Sequence, residues 1–172
     1  MKFRFSPVFV SIGANLSSRE GRVAMSSCNV AAESLRAIPG LRMHALSNWY
    51  ETDPIPPGGP SYINGVAWLE GETDPAWLLG RLQAIEARGG RTRSVPNAPR
   101  TLDLDIIAMG DTVRDAPDPI LPHPRAHFRR FVLEPLAEIA PFWIHPVLHR
   151  PVGALLEDLP PQGVRRLGGR PA

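Results

Sequence analysis

Between Leu102 and Ile107 the chain sets two aspartates, Asp103 and Asp105, alternately among leucine and isoleucine, a pattern suited to an extended strand. With a side-chain period of two, the carboxylates leave on one face while Leu102, Leu104 and Ile106 leave on the other. The segment therefore demands a sheet with an apolar layer on one side and a setting that tolerates paired negative charge on the other. Hard oxygen ligands on a rigid backbone suit Mg²⁺, which takes one or two protein carboxylates and completes its shell with water and phosphate oxygens. Arg100, at the strand entrance, has the planar fork that binds phosphate bidentately. The same Asp-x-Asp on the wet face of an edge strand needs no metal, so the motif alone leaves both readings open.

Composition narrows the choice. At 172 residues the chain fits one domain over 1–172, able to bury a core without disulfides or a structural metal. The single cysteine, Cys28, excludes an intrachain disulfide, and no Cys/His cluster has structural-zinc spacing; a reducing, cytoplasmic setting follows as the simplest expectation. The apolar stretch after Lys2 and Arg4 is too short for a signal peptide, and no run approaches membrane-spanning length. Net charge is only +2, yet the cations comprise eighteen arginines and one lysine. Arginine suits planar phosphate recognition, so Arg88, Arg91, Arg93 and Arg100, and again Arg125, Arg129 and Arg130, stand out from a merely solvated basic face. The modest charge and the lack of a basic tail argue against nucleic acid as the partner.

Residues 8–12 alternate loosely and run through Gly13-Ala14-Asn15-Leu16 into a turn. Ser17 or Ser18 can cap a helix over 19–37, with Val23, Val30, Ala31, Ser34, Leu35 and Ile38 near one face and a stop at Pro39-Gly40. A second strand is expected over 41–50, followed by a proline- and glycine-rich loop over 53–60. A third strand covers 62–69, and Asp74-Pro75 supplies the cap and first-turn proline of a helix that reaches Arg88 and ends at Gly89-Gly90. After an arginine-rich loop comes the Asp-x-Asp strand, closed by Met109-Gly110-Asp111, then a short strand at 112–114. Helices over 131–139 and 152–159 and a fraying tail over 160–172 complete the chain. The order β-α-β-β-α-β predicts an α+β, ferredoxin-like sandwich: an antiparallel-rich sheet with helices on one face and long loops.

Four separated segments carry polar chemistry. Tyr62 and Asn64 share a strand face, where a ring can stack on a flat ligand and an amide can read its edge, although half-buried strand tyrosines are common. Gln83 and Glu86 lie within one helical turn, ahead of a loop bearing Arg91 and Arg93, which either bind phosphate or are solvated loop charge. The Asp-x-Asp strand is the third segment. The fourth is Leu121-Pro122-His123-Pro124-Arg125 with Arg129 and Phe131, an imidazole, two arginines and a ring.

Taken in order and spacing, these segments together with Tyr50-Glu51-Thr52, Pro99 to Ile107 and Phe131-Val132-Leu133-Glu134-Pro135-Leu136 resemble the 6-hydroxymethyl-7,8-dihydropterin pyrophosphokinase family, from about Val8 to Pro141. The resemblance implies a ferredoxin-like domain with three catalytic loops that moves the β,γ-pyrophosphoryl group of ATP to the pterin hydroxymethyl oxygen and releases AMP, a step of folate biosynthesis. It implies that Asp103 and Asp105 hold two Mg²⁺ ions on the ATP phosphates, that Tyr62 and Phe131 sandwich the pterin, and that Asn64 with the backbone from Thr52 to Ile55 reads its edge. It gives Arg91, Arg93, Arg100, His123 and Arg129 to the phosphates, Arg91 and Arg100 as catalytic residues, and Gln83 and Glu86 to the nucleotide side. Asp105 is also a candidate to accept the hydroxyl proton. Small-molecule pterin and ATP are then the partners, with no nucleic acid, membrane or obligate protein partner expected.

The chain departs from the pattern in places. Pro96-Asn97-Ala98 stands where many members carry a basic residue, tryptophan and glycine, so the ring that closes over the pterin is missing, with Val95 or Trp49 as substitutes. Gly13-Ala14-Asn15 replaces Gly-Ser-Asn, and Pro124 stands where some members have tyrosine. A ferredoxin-like RNA-binding module is the competing class, though two carboxylates at a phosphate site would repel RNA unless metal were bound. A Mg²⁺-dependent nuclease is a third, disfavoured by the absence of a further acidic cluster.

Overall fold

A nine-residue central strand organises the sheet, and its sequence, YINGVAWLE, is apolar or small at nearly every position because both of its faces are covered. The computed structural model describes residues 6–15, 21–54, 57–59, 61–89 and 102–167. In chain order the elements are β1 (Pro7–Asn15), α1 (Gly21–Arg36), β2 (Arg42–Leu46), β3 (Tyr50–Thr52), β4 (Tyr62–Glu70), α2 (Pro75–Arg88), β5 (Asp103–Met109), α3 (Arg130–Ile139), α4 (Val152–Glu157) and β6 (Val164–Arg166). The strands lie in the order β5-β1-β4-β3-β6, with β2 also beside β4. All pairs are antiparallel. With α1 and α2 as the crossovers this is the ferredoxin-like α+β arrangement that the element order predicts.

Alternation sorts the side chains. Val8, Val10 and Ile12 of β1, Ile63, Ala67 and Leu69 of β4, and Leu104 and Ile106 of β5 face α1 and α2, where they meet Leu35, Leu78 and Leu82. Phe9, Val66, Trp68 and Ile107 point the other way, onto Val132, Leu133 and Leu136 of α3 and Leu155 of α4. Helices therefore cover both faces rather than the one expected, because α3 carries an apolar stripe that the far side of the sheet buries. A bulge at the β1–β5 pairing, where the register shifts between Phe9 and Val10, lets Ile107 and Ala108 both join that second layer. Cys28 is sealed on the core-facing side of α1, and burial pushes its thiol up to about 12. Val30 lies outside this core with 60% exposure, against the helical face read from the sequence.

The cap predicted at Asp74 is present: its Oδ2 accepts the Trp77 N–H at 2.9 Å, with Pro75 in the first turn. The single strand expected over 41–50 is instead two. Ser47 causes the break, since its Oγ accepts the Val66 N–H at 2.9 Å where a backbone carbonyl would otherwise pair, and it donates onward to the Asn48 carbonyl. Glu138 of α3 then holds the far side of the break, accepting the Asn48 N–H at 2.9 Å and the Tyr50 hydroxyl at 2.7 Å. Burial and that carboxylate push the Tyr50 phenol upward. Residues 112–114 form no strand; a lone bridge joins Arg114 to Leu121, and Pro117 and Pro119 between them have no N–H to extend it. The tail does not fray from residue 160: β6 pairs with β3, Tyr50 opposite Arg166 and Thr52 opposite Val164, and the Leu167 N–H donates to the Trp49 carbonyl at 2.8 Å.

Trp49 is 3% exposed, and its Nε1–H donates to Asn29 Oδ1 at 3.0 Å. Its ring lies on Gly65, where an added Cβ would sit 2.5 Å from ring carbon. Gly65→Ala is therefore expected to cost about 1–3 kcal/mol through overpacking, read by denaturant unfolding; a loss below about 0.5 kcal/mol would show that the ring yields. His145 offers a pH test. It is buried, and its Nδ1 accepts the Val147 and Leu148 N–H groups at 3.2 and 3.0 Å, so protonating that nitrogen breaks both bonds. Burial holds its pKa below the ordinary histidine value, and the neighbouring His127 and His149 push the same way. The unfolded chain then binds the proton first, so this stability is complete above about pH 6.5 and is lost as pH falls through that value toward the folded pKa. Unfolding free energy should drop between pH 7 and pH 5, and His145→Ala, although less stable, should show a shallower slope.

Candidate active site

The sheet face that carries α3 is fully covered only at one end; at the other, β1, β4 and β5 run out beyond the helix and leave a cleft of about 510 Å³. The parity that sends Phe9 and Trp68 into the α3 layer sends Ser11, Gly13, Tyr62, Asn64, Asp103 and Asp105 into this cleft. Register fixes their neighbours. Gly13 stands opposite Asn64 on β4 and opposite Asp103 on β5, and Ser11 stands opposite Asp105. Gly13-Ala14-Asn15, read as the start of a turn, is the paired end of β1, with Asn15 opposite Tyr62.

Asn64 is buried, and its Nδ2–H donates to Thr52 Oγ1 at 2.9 Å, which leaves Oδ1 turned toward Gly13. A Cβ at residue 13 would lie 3.1 Å from that oxygen, so glycine there keeps the amide in place. Tyr62 enters the cleft from the sheet with 42% of its surface exposed, and Phe131 enters from α3. Arg129 rides over the Phe131 ring, its guanidinium carbon 5.7 Å from the centroid.

His123 belongs to the same electrostatic neighbourhood. Its backbone N–H donates to the Ile107 carbonyl at 2.8 Å, and its Nδ1 accepts the Arg125 N–H at 3.1 Å, so Nε2 carries the proton of the neutral ring. Burial pushes its pKa below the ordinary value; the Asp105 carboxylate opposes that shift, and the Arg129 and Arg125 guanidiniums reinforce it. Arg130, grouped with these arginines by sequence, faces elsewhere: it pairs with Glu134 at 2.8 Å and donates to the Leu156 and Leu159 carbonyls, tying α3 to α4.

Two expectations change. Trp49 is locked in the core beneath β4 and cannot close over a ligand in the cleft. Gln83 and Glu86 do not line the cleft; Gln83 is exposed on α2, and Glu86 is 7% exposed with its Oε2 accepting the Leu104 N–H at 3.2 Å. Leu104 points to the α2 side of β5, so Glu86 joins helix to strand behind the aspartates. Arg91, Arg93, Arg100, Val95 and Pro96-Asn97-Ala98 lie outside the described residues.

The structure also brings in residues that the local sequence does not signal. Gln162 joins Thr52, Asp53 and Pro54, from the stretch the resemblance gave to the pterin edge, to form one side of the cleft. Asn15 adds a buried Oδ1 that has no hydrogen-bond partner among the described residues, an acceptor in the cleft lining that a bound molecule can satisfy. A cleft with ring surfaces and an amide near Thr52, and carboxylates and a guanidinium near β5, can hold a flat heterocycle at one side and a phosphorylated group at the other.

The model of the 7,8-dihydro-6-hydroxymethylpterin-pyrophosphokinase family matches residues 9–141. The 2-amino-4-hydroxy-6-hydroxymethyldihydropteridine pyrophosphokinase of Pseudomonas aeruginosa is 38% identical over 167 residues, covering 94% of this chain and 97% of its own. Its namesake in Synechocystis sp. is 37% identical over 149 residues, 87% of this chain and 72% of the relative. The folic acid synthesis protein fol1 of Schizosaccharomyces pombe is 34% identical over 158 residues, but these make up only 21% of that longer protein. Among solved structures, wild-type Plasmodium falciparum HPPK-DHPS superposes with a TM-score of 0.65 over 90% of this chain and 41% of its own, at 13% identity, a likeness of fold. Because the match runs through β1, β3, β4, β5 and the start of α3, the elements that build most of the cleft, the chain belongs to the 7,8-dihydro-6-hydroxymethylpterin-pyrophosphokinase family.

Proposed function

We propose that this cleft is where the chain, a pyrophosphokinase of folate synthesis that uses ATP as co-substrate, brings the nucleotide to 6-hydroxymethyl-7,8-dihydropterin. What supports the reading is that a stacking pair and an edge-reading amide share one cleft with two carboxylates and a guanidinium, with the His123 imidazole in electrostatic reach of Asp105 and Arg129. In the reaction the pterin hydroxymethyl oxygen bonds to the β-phosphorus of ATP, the bond from that phosphorus to the α,β-bridging oxygen breaks, and AMP leaves. Such a transfer depends on in-line positioning and on neutralising charge at the departing oxygen more than on a strong base.

Each residue then has a task. Tyr62 and Phe131 hold the pterin between ring faces, and Asn64, steadied by Thr52, presents its amide oxygen to the donor edge of the heterocycle. His123, neutral near pH 7 because its pKa is depressed, donates from Nε2 to a phosphate oxygen. Arg129, propped on Phe131, neutralises phosphate charge while its stem covers the ring. Arg91, Arg93 and Arg100, from the segment ahead of β5, are assigned to the phosphates, Arg91 and Arg100 with catalytic roles; Glu86 acts from behind, steadying the aspartate strand through the Leu104 N–H, and Gln83 takes no part in the cleft.

The donor set of Asp103 and Asp105 fits Mg²⁺: two hard carboxylates on adjacent same-face positions of a rigid strand, with no third acidic, histidine or cysteine ligand grouped with them among the described residues. Two such ions would be held by these carboxylates and would polarise the β-phosphoryl group and offset phosphate charge. Asp105 is also the chain's own candidate to take the hydroxyl proton. Readings as an RNA-binding module or a nuclease find no support in the family assignment. Among the described residues no helix is long and apolar enough to cross a membrane. The proposed setting is the cytoplasm, in keeping with a lone, buried cysteine.

With ATP, Mg²⁺ and the hydroxymethyldihydropterin, the protein should release AMP; a product profile of ADP alone would overturn the reading. Asp103→Asn and Asp105→Asn should each lower kcat by about 10²-fold or more, with the fold intact by circular dichroism. Tyr62→Ala should instead weaken pterin binding by about 1–2 kcal/mol, seen as roughly a ten-fold rise in its Kd, with ATP affinity retained.

A further inference from the structure

The family match ends at residue 141, yet the cleft does not. Its side next to Thr52 is finished by chain that lies beyond that match, the stretch from Gln162 into β6. We propose that this C-terminal stretch is a working wall of the pterin site and that Gln162 is a positioning residue for the pterin, acting through the Asp53 carbonyl; the proposal rests on the pterin assignment of the cleft.

The need for such a wall follows from β3, which is three residues long and leads straight into a loop rich in proline and glycine. A strand so short, which would be the edge of the sheet without β6 beside it, cannot by itself hold the backbone after Thr52 in one conformation. That backbone is gripped from outside instead. The Asp53 N–H donates to the Gly163 carbonyl at 2.9 Å, and the Gln162 Nε2–H donates to the Asp53 carbonyl at 3.3 Å. Both polar groups of the Asp53 peptide are thereby committed on the β6 side, which fixes the direction in which Thr52 and Pro54 meet the cleft. Arg165 adds a guanidinium 2.9 Å from Asp53 Oδ1 and 3.6 Å from Glu51 Oε1.

Gly163 makes the close approach possible, because a Cβ there would collide with the Asp53 carboxylate. Gln162 itself lines the cleft beside Tyr62 and Asn64. With one N–H spent on Asp53, its amide still presents an oxygen and a second N–H, which suits a heterocycle whose rim alternates donors and acceptors. Recognition of the pterin edge would then come from two amides, Asn64 on the central strand and Gln162 at the far end of the chain, both bonded to the β3 end through Thr52 and Asp53.

Gln162→Ala and Gln162→Glu in the full chain separate positioning from packing. The glutamate keeps the size of the side chain but cannot donate to the Asp53 carbonyl. Pterin Kd by ligand fluorescence titration, KM for both substrates, kcat and Tm would be measured beside Tyr62→Ala. Both Gln162 variants should raise pterin Kd and KM by about 3- to 10-fold, the scale of one hydrogen bond, with kcat, KM for ATP and Tm near wild type. Unchanged pterin affinity in Gln162→Ala, wild-type affinity in Gln162→Glu, or equal losses for both substrates with a lowered Tm would each overturn the inference. If Tyr62→Ala weakens pterin binding while Gln162→Ala does not, only the role of Gln162 falls; if neither does, the pterin assignment of the cleft falls with it.

Discussion

Nine consecutive residue pairs join β1 to β4, and this one register decides which side chains the rest of the molecule has to satisfy. Because strand side chains alternate, it sends Ile12 and Ile63 down to α1 and α2 while it brings Gly13 opposite Asn64 on the other face. A slip by one residue would put isoleucine where the amide now lies and aspartate partners against the core. The core and the cleft are thus consequences of a single pairing. The apolar burial that stabilises it on both faces is also what keeps the polar residues at its end in fixed relation.

β5 inherits that order from β1. Asp103 and Asp105 stand opposite Gly13 and Ser11, small residues that leave space in front of the carboxylates, while Leu104 between them is anchored behind by packing and by the carboxylate of Glu86 on its N–H. Charge is therefore presented on a strand whose back is held firmly, the arrangement that keeps catalytic or binding groups at constant distance. The opposite side of the cleft is built otherwise. Thr52 and Asp53 sit at the end of a short strand, and their position depends on Asn64 from within the sheet and on the C-terminal strand from outside it.

What the sequence disclosed follows from how local each signal is. Asp103 and Asp105 were readable because a two-residue period is written in five consecutive positions, and Asp74-Pro75 because a cap acts over three. Tyr62 and Asn64 were placed on one face by the same parity, and the structure does bring them together with Phe131. Ser47 was not readable as a strand break, since its hydroxyl takes over a backbone acceptor's role only once Val66 is alongside. Trp49 looked available as a surface ring, but the groove that receives it exists only because Gly65 lacks a side chain. Gln162 gave no warning at all: its partner, Asp53, is 109 residues away, and glycine, proline and arginine around it have the composition of a loose tail. Glu86 was read by its helical spacing from Gln83, which does not reveal that the inner of the two positions is spent on Leu104.

The sealing of Cys28 has a practical corollary. The chain has one thiol, fully buried on the core-facing side of α1 and displaced upward in pKa, so it is in no state to act as a thiolate near neutral pH. A second cysteine introduced at any exposed position would react with maleimide or a spin label essentially alone. The native sequence is thus already a single-site labelling background, and distances between the rims of the cleft become accessible to spectroscopy without first stripping the protein of its own sulfur.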